Sequence, residues 1–212
     1  MPSGLIDSAA RNGQRTDRRV FGITLGMVVN NVDLAGMGRV QVHVSGLDVR
    51  PWARVAGTDN GTFFMPQIGD EVPVVFRNGD VREAFVLGAL WNALNRPPTL
   101  NPLDAVTKRI LRSLLGHKIE FDDLTQTVTI QNSTLQEVTL DPSRIEASTV
   151  GGAARVTLYS TGDVSIEAAK SISLAAPTIN INGGTINING SAATTINGGG
   201  ACTIQAALVT IN

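Results

Sequence analysis

Between Phe21 and Val29 large apolar residues fall on every second position (Phe21, Ile23, Leu25, Met27, Val29), with smaller or polar residues between them. A period of two marks a strand with one buried face. The pattern breaks at Asn30-Asn31-Val32-Asp33 and at Gly36-Met37-Gly38. It resumes with Val40, Val42 and Val44, while Gln41 and His43 face the other way. Residues 52–56 predict a third strand, and 65–70 a turn into a fourth, where Val72, Val74 and Phe76 alternate. Asn78-Gly79 is the strongest hairpin signal in the chain, because both residues tolerate positive φ. It leads into a fifth strand over 84–90. Pro73 has no N–H to give to a ladder, so it belongs at an edge or a bulge.

Five short strands without a long helix predict a Greek-key barrel of the OB type over residues 20–95. Residues 96–108 read as a linker within a Pro- and Asn-rich stretch. Short apolar pieces follow at 110–115, 119–121, 128–130 and 138–140, the first of them open to strand or helix. From Ser171 to the last residue there is no Asp, Glu, Lys or Arg. Apolar pairs at i and i+2 take their place: Val164/Ile166, Ile172/Leu174, Ile179/Ile181, Ile186/Ile188 and Val209/Ile211, with single anchors at Ile196 and Ile204. Asn, Thr, Ser, Ala and Gly stand between them. A short period of this kind marks a β-solenoid.

A single-chain solenoid needs roughly three or more stacked coils, and the neutral segment would supply about two. Three chains wound about one axis would bury the same residues. The expected fold is therefore all-β: a five-stranded barrel, then an intertwined trimeric β-helix over 109–212. Its core would be Ile166, Ile172, Leu174, Ile179, Ile181, Ile186, Ile188, Ile196 and Ile204. The missing charges fit a needle in which every charge would be repeated three times at close range. An uncharged surface also crosses lipid at lower cost. A disordered low-complexity tail is the plainer reading, but regular Ile-x-Ile pairs argue against it.

The 212 residues carry a formal net charge of -1, which gives no electrostatic pull towards nucleic acid or anionic membrane. Aromatic residues make up 4%, few for base stacking. One cysteine, Cys202, and two distant histidines, His43 and His117, offer neither a disulfide nor a metal centre. Cys202 reads as a small buried hydrophobe. The polar segment 1–19 does not resemble a signal peptide and reads as a tail or a basic arm. No run is long and apolar enough for a membrane helix. Glu120, Asp122 and Asp123 lie close together but read as solvated turn acids rather than a catalytic pair. No catalytic residue, cofactor or metal is expected.

An ordered series of short motifs adds to this picture. Gly38-Arg39-Val40-Gln41-Val42, Trp52-Ala53-Arg54-Val55, Phe64-Met65-Pro66 and Ile68-Gly69-Asp70-Glu71-Val72 are followed by Val75-Phe76, Gly79-Asp80, Val86-Leu87-Gly88, Leu90-Trp91-Asn92 and Pro97-Pro98. Lys108-Arg109-Ile110 and Gly116-His117-Lys118-Ile119-Glu120-Phe121-Asp122-Asp123 come next. In this order, over about residues 20–176, the chain resembles the VgrG and phage baseplate spike family. The resemblance implies a homotrimeric hub of three OB domains at the end of an inner tube, above a membrane-piercing needle. It implies tube, hub and baseplate proteins as partners of the barrel, and transient contact with a target cell envelope. It also implies that 110–115 is a strand.

The lysozyme insert, His-x-His metal tip and toxin extension of some members are not expected here. The repeat runs to Val209, Thr210, Ile211 and Asn212, which are expected to meet a PAAR-type tip protein. The expected location is a phage tail baseplate or a contractile injection particle, made in the cytoplasm. An OB-fold nucleic-acid binder with a β-repeat oligomerisation tail is the competing reading. It lacks a Lys/Arg cluster around Trp52, Phe63, Phe64 and Trp91, which read as barrel core or interface. A left-handed β-helix acyltransferase fits neither the period nor the absence of a histidine in the repeat.

Overall fold

The computed structural model describes residues 19–59 and 61–210. The expected arm over 1–19 therefore lies outside the described residues, apart from Arg19, which forms an isolated bridge with Asp80. Ile211 and Asn212, expected to meet a tip protein, also lie outside the described residues.

Five strands, β1 (Ile23–Asn30), β2 (Arg39–His43), β3 (Trp52–Val55), β4 (Glu71–Phe76) and β5 (Ala84–Val86), close into a barrel in the order β1-β2-β3-β5-β4. The pair β3–β5 is parallel and the others are antiparallel. Val28, Val40, Val42, Val44, Ala53, Val72, Val74, Phe76, Ala84 and Val86 form the core. β-Branched valines suit this narrow interior, because each fills space next to the pleat with a stiff side chain.

The first strand faces the opposite way from the one its pattern suggests. Gly26 and Val28 point into the barrel, while Ile23, Leu25 and Met27 are exposed on its outer surface. Close approach of the neighbouring strands sets this parity: a Cβ on Gly26 would run into Val42 and Val74. Pro73 lies within β4, opposite Leu25. Its carbonyl accepts from Leu87 N–H just past the β4–β5 ladder, so the missing donor falls where pairing ends. Asn78 and Gly79 both have positive φ, as expected, but the connection is wider than a two-residue hairpin. It runs as a short 3-10 turn with Arg77 N–H bonded to Glu83 O. Arg19 and Phe21 stand where a Cβ on Gly79 would point.

A four-residue helix, α1 (Asp104–Thr107), ends the linker. Then come seven strands: β6 (Lys108–Arg112), β7 (Lys118–Asp122), β8 (Thr127–Gln131), β9 (Glu137–Leu140), β10 (Arg144–Ser148), β11 (Ala154–Tyr159) and β12 (Val164–Ala168). They pair in sequence order as one antiparallel sheet. This differs from the β-helix expected from residue 109 onward. Tight turns reverse the chain after each strand, and Gly116, Gln126, Leu135, Gly151 and Gly162 take the positive φ such reversals need. Each strand therefore meets its own predecessor. The piece 110–115 is a strand only as far as Arg112, and 113–117 turn back. Between Lys170 and Thr210 no strand and no backbone hydrogen bond occurs among the described residues.

Candidate assembly surface

The register of the meander sorts its side chains by face. One face carries the cross-strand row Arg109, Phe121, Val128, Leu140, Ile145, Leu158 and Val164. Beside it runs Leu111, Ile119, Ile130, Val138, Ala147, Val156 and Ile166. Apart from Arg109 at the barrel end, both rows are apolar across all seven strands. Except for Val128, their large side chains are between 37% and 63% exposed, because no second layer covers them within the chain. A sheet that buries one face normally needs such a layer.

The other face is polar. Lys108 Nζ donates to Glu120 Oε1 at 2.9 Å and lies 3.6 Å from Asp122, and Lys118 Nζ is 3.1 Å from Glu120 Oε2. Further along, Arg144 lies 3.4 Å from Glu146, and Arg155 is 4.0 Å from Glu167. Partial burial pushes the Glu120 carboxyl up, but the hydrogen bonds from Lys108 and Lys118 outweigh it and hold Glu120 below its ordinary value. The bond to Glu120 raises Lys108. Asp122 is likewise held low. Burial opposes this, but the backbone N–H groups of Thr125 and Leu124, with Lys108, prevail. Glu120 and Asp122 are thus parts of a lysine-bridged network on the sheet rather than solvated turn acids. Asp123 is exposed. Among the described residues no group of three or more His, Cys, Asp or Glu side chains could hold a metal ion.

In the barrel the short motifs act as fasteners. Asp33 accepts from Arg39 Nε at 2.9 Å and Nη2 at 2.8 Å, and from the N–H groups of Met37 and Arg39. The guanidinium keeps Asp33 far below the usual carboxylate range. This clasp closes the β1–β2 loop. Elsewhere on the barrel Asn95 Nδ2 donates to Asp70 Oδ1 at 2.8 Å and Asn92 Nδ2 to Glu71 Oε2 at 3.2 Å, tying the departing chain to the start of β4.

Residues 24–91 match the model of the type VI secretion system/phage-baseplate injector OB domain. Over this segment the chain is similar to VgrG spike proteins. The type VI secretion system spike protein VgrG3 of Vibrio cholerae is 36% identical over 87 residues, covering 36% of this chain and 8% of the relative. The actin cross-linking toxin VgrG1 of Vibrio cholerae is 36% identical over 77 residues, 34% of this chain and 7% of that protein. VgrG2a of Pseudomonas aeruginosa is 33% identical over 82 residues, 35% of this chain and 10% of that protein. The matched part is thus a tenth or less of these relatives' lengths.

The residues expected to form a needle core lie in two settings. Ile166 stands on β12, in the apolar rows of the sheet. Ile172 is exposed but lines one concavity with Ile130, Val138, Val156 and Ile166 on the apolar face, while Leu174, Ile179, Ile181, Ile186, Ile188, Ile196 and Ile204 are exposed. Val209 and Thr210 are exposed as well, and so is Cys202 in the single chain. Phe63, Phe64 and Trp91 are exposed rather than core, and Trp52 lies half-buried on the outer wall beneath the Arg39 guanidinium. The apolar face of the sheet is the feature that pattern reading passed over. Its signal was present as alternation in each of the pieces 119–121, 128–130 and 138–140, but only the register shows that they share a face.

Proposed function

We propose that this chain is the central spike and hub of a contractile tail or injection-system baseplate, acting as a homotrimer and without catalysis. The observation that carries the reading is the uncovered apolar face of the meander, backed by a polar face. Three copies with these faces turned to a common axis form a closed three-sided prism. The ion pairs then face water and the apolar rows form its core. Removing such side chains from water contributes about 1.5–3 kcal/mol for each one fully buried.

Below the prism, residues 171–212 of the three chains wind together as the needle. Each chain supplies the strand partners that the others lack, with Ile172 to Ile204 on the axis. Val209, Thr210, Ile211 and Asn212 offer a further apolar pair and open backbone groups. A PAAR-type tip protein fits there. The barrels form the hub against tube and baseplate proteins, and the outward Ile23, Leu25 and Met27 offer them an apolar contact. The particle is a phage tail or an injection machine, and the needle meets the target envelope only on firing. No helix among the described residues is long and apolar enough to cross a membrane.

The test is sedimentation of the purified full chain. Three chains per particle are expected, with Ile130→Asp reducing the species to monomer or aggregate. A wild-type monomer at micromolar concentration overturns the reading.

A further inference from the structure

The two flanks of the meander are not alike. Because the strands follow one another in order, the turns at 113–117, 132–136 and 149–153 lie along one flank. Those at 123–126, 141–143 and 160–163 lie along the other. Turn tips ordinarily carry Gly, Asn, Asp or Ser. On the first flank every tip carries a large apolar side chain: Leu114 and Leu115, then Leu135, then Val150, all between 51% and 84% exposed. Neighbouring tips on this flank are tied together, since Ser133 N–H donates to His117 Nδ1 at 3.2 Å. On the second flank only Leu124 is of this kind, and the later tips are Asp141-Pro142-Ser143 and Ser160-Thr161-Gly162-Asp163.

Leu135 is the tip at which the flank can be tested. It sits at φ 62°, a left-handed conformation that suits Gly or Asn and strains leucine. Gln126 on the other flank shares this strain at φ 55°, so what distinguishes Leu135 is its large apolar side chain, 61% exposed at the tip.

We infer that this flank is a docking edge for a second copy of the chain: Leu115, Leu135 and Val150 lap over the margin of the neighbour's apolar face beside its Phe121 and Leu140. The inference rests on the trimer proposed above. A three-fold ring is built from heterologous contacts, in which one surface of each copy meets a different surface of the next. The meander has the two surfaces required. The apolar flank is one, and the margin of the apolar face nearest the polar flank is the other. The contact therefore sets the hand in which the three sheets close.

Urea unfolding of the full chain, with particle size followed by sedimentation, tests this. Leu135→Asn relieves the positive φ, so a leucine that only closes a turn gives an unchanged or raised unfolding midpoint. A docked leucine gives a lowered midpoint and a shift of the trimer–monomer balance towards monomer of about tenfold or more. Gln126→Gly removes strain at φ 55° on the other flank and should leave both readouts unchanged or slightly improved. A trimeric Leu135→Asn protein as stable as wild type overturns the flank assignment while the trimer stands. A monomeric wild-type chain overturns the trimer, and this contact with it.

Discussion

At the scale of single residues, the barrel depends on two positions of opposite character. Gly26 is required by space rather than by backbone angle, since a methyl group there would meet Val42 and Val74. Gly26→Ala should destabilise the barrel by about 1–3 kcal/mol, read as a lower urea midpoint, because the overpacked core has to shift. Asp33 is required for its charge, which Arg39 and three loop N–H groups share. Its folded pKa is depressed, as are those of Glu120 and Asp122. Groups shifted in this direction contribute stability above the unfolded carboxylate value and lose it as pH falls through the folded one. Stability should therefore hold at neutral pH and begin to fall below about pH 4. Lys108 has the opposite sign: its raised value contributes below the unfolded lysine range, and the contribution is lost above about pH 10. Circular dichroism melts across pH check both limbs, and Glu120→Gln should flatten part of the acid limb.

Among the elements, the two faces of the meander predict opposite responses to one substitution. Val138→Asp, on the apolar face, should abolish trimer formation, since each copy would bury an unpaired charge. Thr139→Asp, its neighbour on the polar face, should leave the trimer intact in the same sedimentation assay. The barrel was legible in the sequence because valine alternation at 40, 42 and 44 and at 72 and 74 reports a buried face directly. β1 departs from its pattern because its larger residues face outward, away from the core that alternation ordinarily marks. The strands of the meander were visible one by one, but their shared face was not. Cross-strand register depends on turn geometry, and Leu135 and Gln126 hide left-handed turns behind residues that seldom make them. The charge-free segment was legible as a repeat, yet within one chain its strands find no partner, so the pattern alone cannot place them.

For the whole molecule, the reading as a three-chain spike makes Cys202 a reporter. It is exposed in the single chain and lies two positions before Ile204, so it shares that residue's face of an extended strand. Mild thiol oxidation of the assembled trimer should link two chains and leave a third free, seen as a dimer band without reducing agent. Cys202→Ser should remove the band. Ile181→Asp should block needle formation, and truncation of 205–212 should cost assembled particles a co-purifying small tip protein. Particles that retain every component after that truncation would exclude the capping role.

The absence of self-pairing beyond Lys170 also bears on how such a molecule is made. In the proposed trimer, a tail that finds no strand partner in its own chain waits for two others. Its Ile-x-Ile units recur so regularly that three tails meeting at random could align one repeat out of step and still bury their isoleucines. In the proposed assembly the meander would give the tails a common starting line, because three sheets closed edge to face would hold all three Lys170 residues level. Winding from that line downward delivers every repeat to its counterpart. Residues 108–212 should therefore form one defined trimer on refolding, whereas 171–212 alone should give a ladder of staggered, open-ended assemblies.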